Sequence, residues 1–161
     1  MDKIVKINKD KIQKYLQLGD PFLFVHEAEI VLGKSAKGIR YFPKDEWFFK
    51  HHFMTDPVVP GVFQLEHIMQ TGALAVLAQE IPDTNIIYGK NFKDLNLISF
   101  VRPGETLHCE TEVLSFRRGL GLAKGTAWVE RNNEKVITST ATFQMVSPTL
   151  LNKFIPGANK C

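Results

Sequence analysis

Apolar residues in the middle of the chain follow a helical period. From Gly61 to about Gln79 they recur at steps of three and four, as on one face of a helix. The residues of this face are Val62, Leu65, Met69, Ala73, Val76 and Leu77. The flanks of the face are apolar too, at Ile68, Leu74 and Ala75. The pattern predicts one long helix that is buried on most sides.

Strand patterns lie on both sides of this helix. Residues 21–42 are rich in strand formers and are interrupted at residues 33–35, where a hairpin turn fits, so two strands are expected there. Four more strands are expected after Pro82. They run from Ile86 to Leu97, from Glu105 to Phe116, from Leu120 to Arg131 and from Lys135 to Val146. The second of these four alternates apolar and polar residues, which predicts a core face of Leu107, Cys109, Thr111 and Val113.

The two ends of the chain give weaker patterns. Asn8 is a favourable N-cap for a short amphipathic helix through Leu18, and Gly19 is a stop signal. The first ten residues lack the apolar core of a secretory signal. The tail after Pro148 has no clear period and is expected to pack loosely.

Together these elements predict one α+β domain over residues 1–161, a length that suits a single core. A helix that is apolar nearly all round needs a curved antiparallel sheet to cover it. Such a sheet has exposed edges, and pairing two copies edge to edge hides one of them. A homodimer is therefore expected.

Composition narrows the class of protein. The net charge of +3 is spread along the chain without basic blocks, which does not favour nucleic-acid binding. The two cysteines, Cys109 and Cys161, have neither metal-ligand nor disulfide spacing, as is usual in a reducing compartment. No stretch approaches the roughly 18 apolar residues of a membrane span. We expect a soluble, cytoplasmic protein.

The candidate chemistry lies between His52 and Gln70. Glu66 falls on or beside the apolar stripe of the helix, so its carboxyl should be partly dry and its pKa raised, which suits a proton donor. Gln70, one turn later, is placed to hold that carboxyl by a hydrogen bond. His52 lies on an irregular aromatic stretch, and histidine takes up protons near neutral pH.

A third element is the start of the helix at Pro60 and Gly61. The first backbone N–H groups, those of Gly61 and Val62, have no partner inside the helix and suit a developing oxyanion. A base, an oxyanion donor and an acid are what elimination of water from a 3-hydroxyacyl thioester requires. This chemistry needs neither a metal nor an organic cofactor.

Each feature alone also has a plain structural interpretation. A histidine between Phe49 and Phe53 is often a packing residue, a helix carboxyl is often ion-paired, and Pro-Gly is ordinary helix-start punctuation. Fourteen residues along one straight helix span about 21 Å, so His52 and Glu66 cannot meet by helical spacing. Folding back or dimerisation must join them, and the sequence leaves both open.

Residues 47–70 resemble the 3-hydroxyacyl-acyl carrier protein dehydratases of fatty acid and polyketide synthesis. Those enzymes have a histidine-phenylalanine pair, a proline-glycine nine residues after the histidine and an acid five residues later, which His52, Gly61 and Glu66 match. The run 56–61 is most similar to the dehydratase/isomerase branch and to the dehydratase domains of polyunsaturated fatty acid synthases. A glutamate at position 66 is similar to the plain dehydratase branch, so the branch stays open.

The resemblance implies a hot-dog fold whose sites each join the histidine of one subunit to the acid of its partner. Residues 20–25 resemble the first strand of the family. The implied substrate is a thioester on the phosphopantetheine arm of an acidic acyl carrier protein. Basic residues that could meet this carrier, or form a solvated turn, are Arg117, Arg118 and Lys124.

Two departures from the family pattern stand out. His26 occupies a position where the family commonly has aspartate, which bears on support of the site. Lys50 and His51 replace small residues before the histidine, which makes His51 a rival base. His52 is preferred because it precedes Phe53 and keeps the nine-residue step to Gly61.

Three other functions compete with the dehydratase. A hot-dog thioesterase would use a helix carboxylate without needing His52, and a non-catalytic subunit would keep the fold for pairing in a heterodimer. A metal site would use His51, His52, Asp56 and His67, yet Phe63 holds the position four residues before His67 where a second histidine ligand is expected.

Overall fold

One antiparallel sheet and one long helix organise residues 3–158, the part of the chain that the computed structural model describes. The elements in chain order are β1 (Ile4–Asn8), α1 (Lys9–Leu16), β2 (Glu27–Val31), β3 (Ser35–Tyr41), α2 (Gly61–Leu77), β4 (Tyr88–Leu97), β5 (Thr106–Arg117), β6 (Leu120–Arg131), β7 (Glu134–Val146) and α3 (Pro148–Phe154). The order of strands in the sheet is β1-β2-β3-β5-β6-β7-β4. The two edges are therefore β1 and β4.

Helix α2 packs against the middle of this sheet, on strands β3, β5, β6 and β7. Glycines on two strands allow the close approach: a Cβ at Gly38 would lie 2.3 Å from Thr71 Oγ1, and one at Gly125 would lie 2.4 Å from Ile68 Cγ2. Nearly every side chain of α2 after Glu66 is buried. The predicted long central helix, and its burial on most sides, are confirmed.

The ends of the chain differ from the predictions. Strand β1, which was not predicted, pairs with β2 from Ile4 opposite Val31 onward. Helix α1 has the predicted cap, with Asn8 Oδ1 accepting from the Lys11 N–H, but it ends at Leu16 instead of running to Leu18. The tail after Pro148, expected to be loose, forms α3 and buries Leu151.

Residues 20–25 do not form the strand that the family resemblance implied. They make a turn followed by an extended segment in which Leu23, Phe24 and Val25 are fully buried. The backbone of this segment finds its partner in a side chain: Phe24 N–H donates to Gln70 Oε1 (2.8 Å), and Phe22 carbonyl accepts from Gln70 Nε2 (2.8 Å). The segment is thus held by side chains, Gln70 of α2 and Arg40 of β3, and not by a strand ladder.

The edge strand β4 exposes apolar side chains. Among the described strands it pairs with β7 alone, and its register shifts twice along the pair. Its exposed apolar residues are Tyr88, Phe92, Leu95 and Leu97. Such an edge is a template for further pairing. Among the described helices, none is long and apolar enough to cross a membrane.

Candidate active site

The carboxyl of Glu66 lies on α2 in a half-buried position. Burial raises its pKa above the ordinary value, while a hydrogen bond from Gln70 Nε2 to Glu66 Oε1 (2.8 Å) acts in the opposite direction. Burial is the larger effect because it removes the charged form from water. The predicted burial of the carboxyl and its bond to Gln70 are confirmed, and the direction of the pKa shift agrees with the prediction.

Gln70 is itself fully buried and uses both ends of its amide. Besides Glu66, its Nε2 donates to the carbonyl of Phe22, and its Oε1 accepts from the N–H of Phe24. Three bonds fix the orientation of the amide, so Nε2 must point at the carboxyl. Gln70 therefore holds Glu66 and the segment 22–24 in one arrangement.

His52 lies in the irregular loop between β3 and α2 and is partly exposed. The loop closes on itself at this point: Val58 N–H donates to the His52 carbonyl (2.9 Å), and His52 Nδ1 lies 3.2 Å from the Val58 carbonyl. A carbonyl only accepts, so Nδ1 carries the proton and Nε2 of the neutral ring keeps a lone pair. That lone pair can accept a proton. His51, the rival, is exposed.

The start of α2 is open for an anion. Its N-cap, Pro60, makes no side-chain capping bond, and the first turn has no acidic residue. Between described residues, no hydrogen bond uses the backbone N–H of Gly61 or Val62. Gly61 also lies under the end of β4, where an added Cβ would come 2.5 Å from Leu97 Cδ1. A side chain at this position would require the exposed Leu97 side chain to shift.

In the described part of one chain, no hydrogen bond joins the two candidate catalytic side chains. The ring of His52 bonds to the Val58 carbonyl, and the carboxyl of Glu66 bonds to Gln70. The loop does pack on the helix elsewhere, through the rings of Trp47 and Phe48 against Phe63. The chain therefore brings the loop to the start of α2 without joining the acid to the base.

The residues of the metal alternative are not grouped. His67 is fully buried, its Nδ1 donates to the Phe24 carbonyl, and burial lowers its pKa to about 4. Asp56 is at the surface, where it forms an ion pair with Arg102. In residues 3–158 no three His, Cys, Asp or Glu side chains are placed to hold a metal ion.

Two parts of the site were not anticipated from the sequence. One is the contact of segment 22–24 with Gln70 and His67, described above. The other is a group made of the buried Arg40 and the partly buried Glu46 and His26 beside that segment. The departure at His26 was the one sequence signal near it.

Comparison with known proteins identifies the family. The model of the FabA-like domain matches residues 17–140. A 3-hydroxyacyl-[acyl-carrier-protein] dehydratase FabZ from Caldicellulosiruptor saccharolyticus is 40% identical over 111 residues, 68% of this chain and 79% of that protein. The FabZ from Alkaliphilus metalliredigens is 32% identical over 145 residues, 89% of this chain and 97% of that protein. The FabZ from Bacillus subtilis is 33% identical over 125 residues, 77% of this chain and 89% of that protein.

Solved structures agree on the fold. The dehydratase heterocomplex ApeI:P from Xenorhabdus doucetiae superposes with a TM-score of 0.68 at 14% identity, covering 90% of this chain and 97% of that one. The hexameric thioesterase y2039 from Yersinia pestis gives 0.52 at 13% identity, over 67% and 82% of the chains. At such identities the likeness shows the fold alone, and it confirms the predicted α+β hot-dog architecture. With the matched model spanning more than half of the sequence and three relatives above 30% identity, the chain belongs to the FabA-like family.

Proposed function

We propose that this protein dehydrates a 3-hydroxyacyl thioester, carried on acyl carrier protein, to the trans-2-enoyl thioester in fatty acid synthesis. The observation that carries the proposal is the half-buried Glu66 carboxyl, whose raised pKa favours a proton donor. It is supported by the FabZ relatives, which are dehydratases by name. His52 is the base, Glu66 the acid, and Gly61 and Val62 the oxyanion donors.

The reaction needs one proton removed and one supplied. His52 Nε2 takes the proton from the carbon next to the thioester carbonyl, and the N–H groups of Gly61 and Val62 stabilise the enolate-like oxygen. Glu66 then gives its proton to the hydroxyl, the C–O bond breaks, and water leaves as the double bond forms. Gln70 keeps the carboxyl in position throughout. Proton return from the imidazolium to the carboxylate restores both groups.

We propose a homodimer in which His52 of one subunit works with Glu66 of the other. Two features support it: among the described residues no hydrogen bond joins the two side chains within a chain, and β4 presents an apolar open edge beside Gly61. Assembly is common among the fold neighbours, which include a heterocomplex and a hexamer. Pairing of β4 with its copy would bury this edge.

The acyl carrier protein is the proposed partner, and an acidic carrier would need basic contacts. Of the three candidates, Lys124 forms an ion pair with Glu112 (2.8 Å), and Arg118 lies over the ring of Phe154. Arg117 is exposed at the end of β5. We therefore rank Arg117 first as a carrier contact. We also propose that residues 1–161 form one domain, in the cytoplasm, that needs no cofactor.

The test is turnover of a short trans-2-enoyl thioester, followed by the loss of enoyl absorbance on hydration, with Glu66→Gln as the control. Absorbance change in the wild type and not in the variant supports the proposal. Release of free thiol from the thioester, measured in the same sample, would instead identify a thioesterase. An intact thioester, with a carrier-linked substrate also tried, would identify a non-catalytic subunit.

A further inference from the structure

A buried ionic group lies next to the candidate site. Arg40 on β3 pairs with Glu46 in the loop that carries His52, with 2.6 Å between Nη2 and Oε1 and only 5% and 14% of the two side chains exposed. Arg40 Nη1 lies 2.7 Å from His26 Nε2 and also donates to the carbonyl of Leu23. An arginine only donates, so His26 accepts at Nε2 and is neutral. Burial, and then the charge of Arg40, lower the His26 pKa to about 4, in agreement.

Through Glu46, the ionic group holds the loop that carries His52, the proposed base. Glu46 lies within a series of tight turns: its N–H donates to the Pro43 carbonyl (3.2 Å), the Phe49 N–H donates to the Glu46 carbonyl (3.1 Å), and the His52 N–H donates to the Phe48 carbonyl (2.9 Å). Arg40 thus holds this series at Glu46, six residues before His52. The loop has no regular structure of its own, so its position depends on such anchors.

On the other side the group reaches the acid. The residues on either side of Leu23, Phe22 and Phe24, are the two backbone partners of Gln70, and Gln70 in turn donates to Glu66. One connected path therefore runs from the loop of His52 through Arg40 and segment 22–24 to the Glu66 carboxyl. Transferring an ion pair from water to the protein interior costs free energy, so the pair of Arg40 and Glu46 is weak evidence for a stabilising role. Positioning of the neighbouring segments is the better explanation of the pair.

We propose that Arg40 is a positioning residue for the dehydration reaction, which fixes the His52 loop through Glu46 and the Glu66 carboxyl through segment 22–24 and Gln70. The inference rests on the proposed function for its effect on rate. Its effect on Glu66 can be measured without turnover. Arg40 is buried, and among the described residues it has no hydrogen bond to His52 or Glu66, so it would act on them through other residues.

The test variant is Arg40→Lys. It keeps the positive charge but lacks the planar fork that serves Glu46, His26 and the Leu23 carbonyl at once. We expect kcat per folded molecule to fall about tenfold with KM nearly unchanged. The Glu66 pKa, measured by NMR titration of its ¹³C-labelled carboxyl, should rise, because the bond from Gln70 that lowers it is weakened.

Two comparisons decide whether the path runs as proposed. Gln70→Leu should raise the Glu66 pKa directly, and the double variant with Arg40→Lys should show no further rise. Arg131→Lys changes another arginine paired with a glutamate, Glu105, but has no link to Gln70, so it should leave the Glu66 titration unchanged. Additive rises in the double variant would overturn the path through Gln70.

A purely structural role predicts a different result. Arg40→Lys would then lower Tm, while kcat per folded molecule and the Glu66 titration stay at wild-type values, and the proposal would be wrong. If the lysine variant does not fold, Glu46→Asp tests the loop side, with a lower kcat expected at full folding and wild-type kcat refuting it. If the wild type itself does not turn over the thioester, the proposed function fails, and the titrations still decide the path.

Discussion

The adjacent histidines of the loop offer a matched pair of substitutions, His52→Asn and His51→Asn. Asparagine in place of His52 can still donate from its amide to the Val58 carbonyl, the partner of His52 Nδ1 at 3.2 Å. The loop should therefore keep its closure, at a cost below the roughly 1 kcal/mol of one hydrogen bond. His51 is exposed, so its replacement should change stability by no more than about 0.5 kcal/mol.

The two variants should differ in kcat although their stabilities are similar. Loss of a positioned base costs about 10²- to 10⁴-fold in kcat, equivalent to roughly 3–5 kcal/mol of barrier, and we expect this for His52→Asn alone. Enoyl absorbance gives the rate, and urea unfolding gives the stability of each variant. Equal losses of rate would leave His51 as good a base as His52. Wild-type rate in His52→Asn would refute the assignment of the base.

Three further predictions follow from Glu66, Gly61 and β4. The folded-state pKa of Glu66 is raised, so its contribution to stability is complete below the unfolded value of 4.5 and is lost as pH rises through the folded value. Urea unfolding of Glu66→Gln should therefore show a growing advantage over the wild type above pH 4.5; a constant difference would contradict the raised pKa. Gly61→Ala should lower kcat roughly tenfold or more by crowding the oxyanion donors. The Tm should change little because the exposed Leu97 side chain can move. An unchanged kcat would show that Gly61 is not part of the site. Leu95→Glu on the edge of β4 should halve the mass in sedimentation velocity, and an unchanged mass would place the interface elsewhere.

The parts of the site that follow helical spacing could be predicted from the sequence. Glu66 and Gln70 are four residues apart on one helix, so their contact follows from the helix alone. The apolar stripe gave both the helix and the dry environment of the carboxyl. The start at Pro60 and Gly61 was equally local, since proline and glycine act on the backbone of their own turn.

Contacts between distant segments could not be predicted in the same way. Strand β1 has five residues and lies at an edge, and its inward face consists only of Ile7 and the partly buried Val5, which is too short an alternation to identify a strand. Segment 22–24 has the composition of a strand. The Phe24 N–H nevertheless bonds to a side chain, because the fold places Gln70, 46 residues later, beside it. Strand propensity describes how well a residue suits a strand, and it does not identify the group that will bond to the backbone of that residue.

The relation between His52 and Glu66 is the extreme case of this limit. Their spacing excludes a helical contact, and no hydrogen bond joins their side chains in the described part of one chain, so the proposed site uses a second copy. Within each chain, the path through Arg40 runs from the loop of His52 to the Glu66 carboxyl. In the proposed dimer these two residues belong to different sites, so each path connects the base of one site to the acid of the other. A dimer built on β4 would then carry two sites whose halves are positioned by two such paths. Damage to one path should impair both sites, so a mixed dimer with one Arg40→Lys subunit should lose activity at each site instead of retaining one intact site.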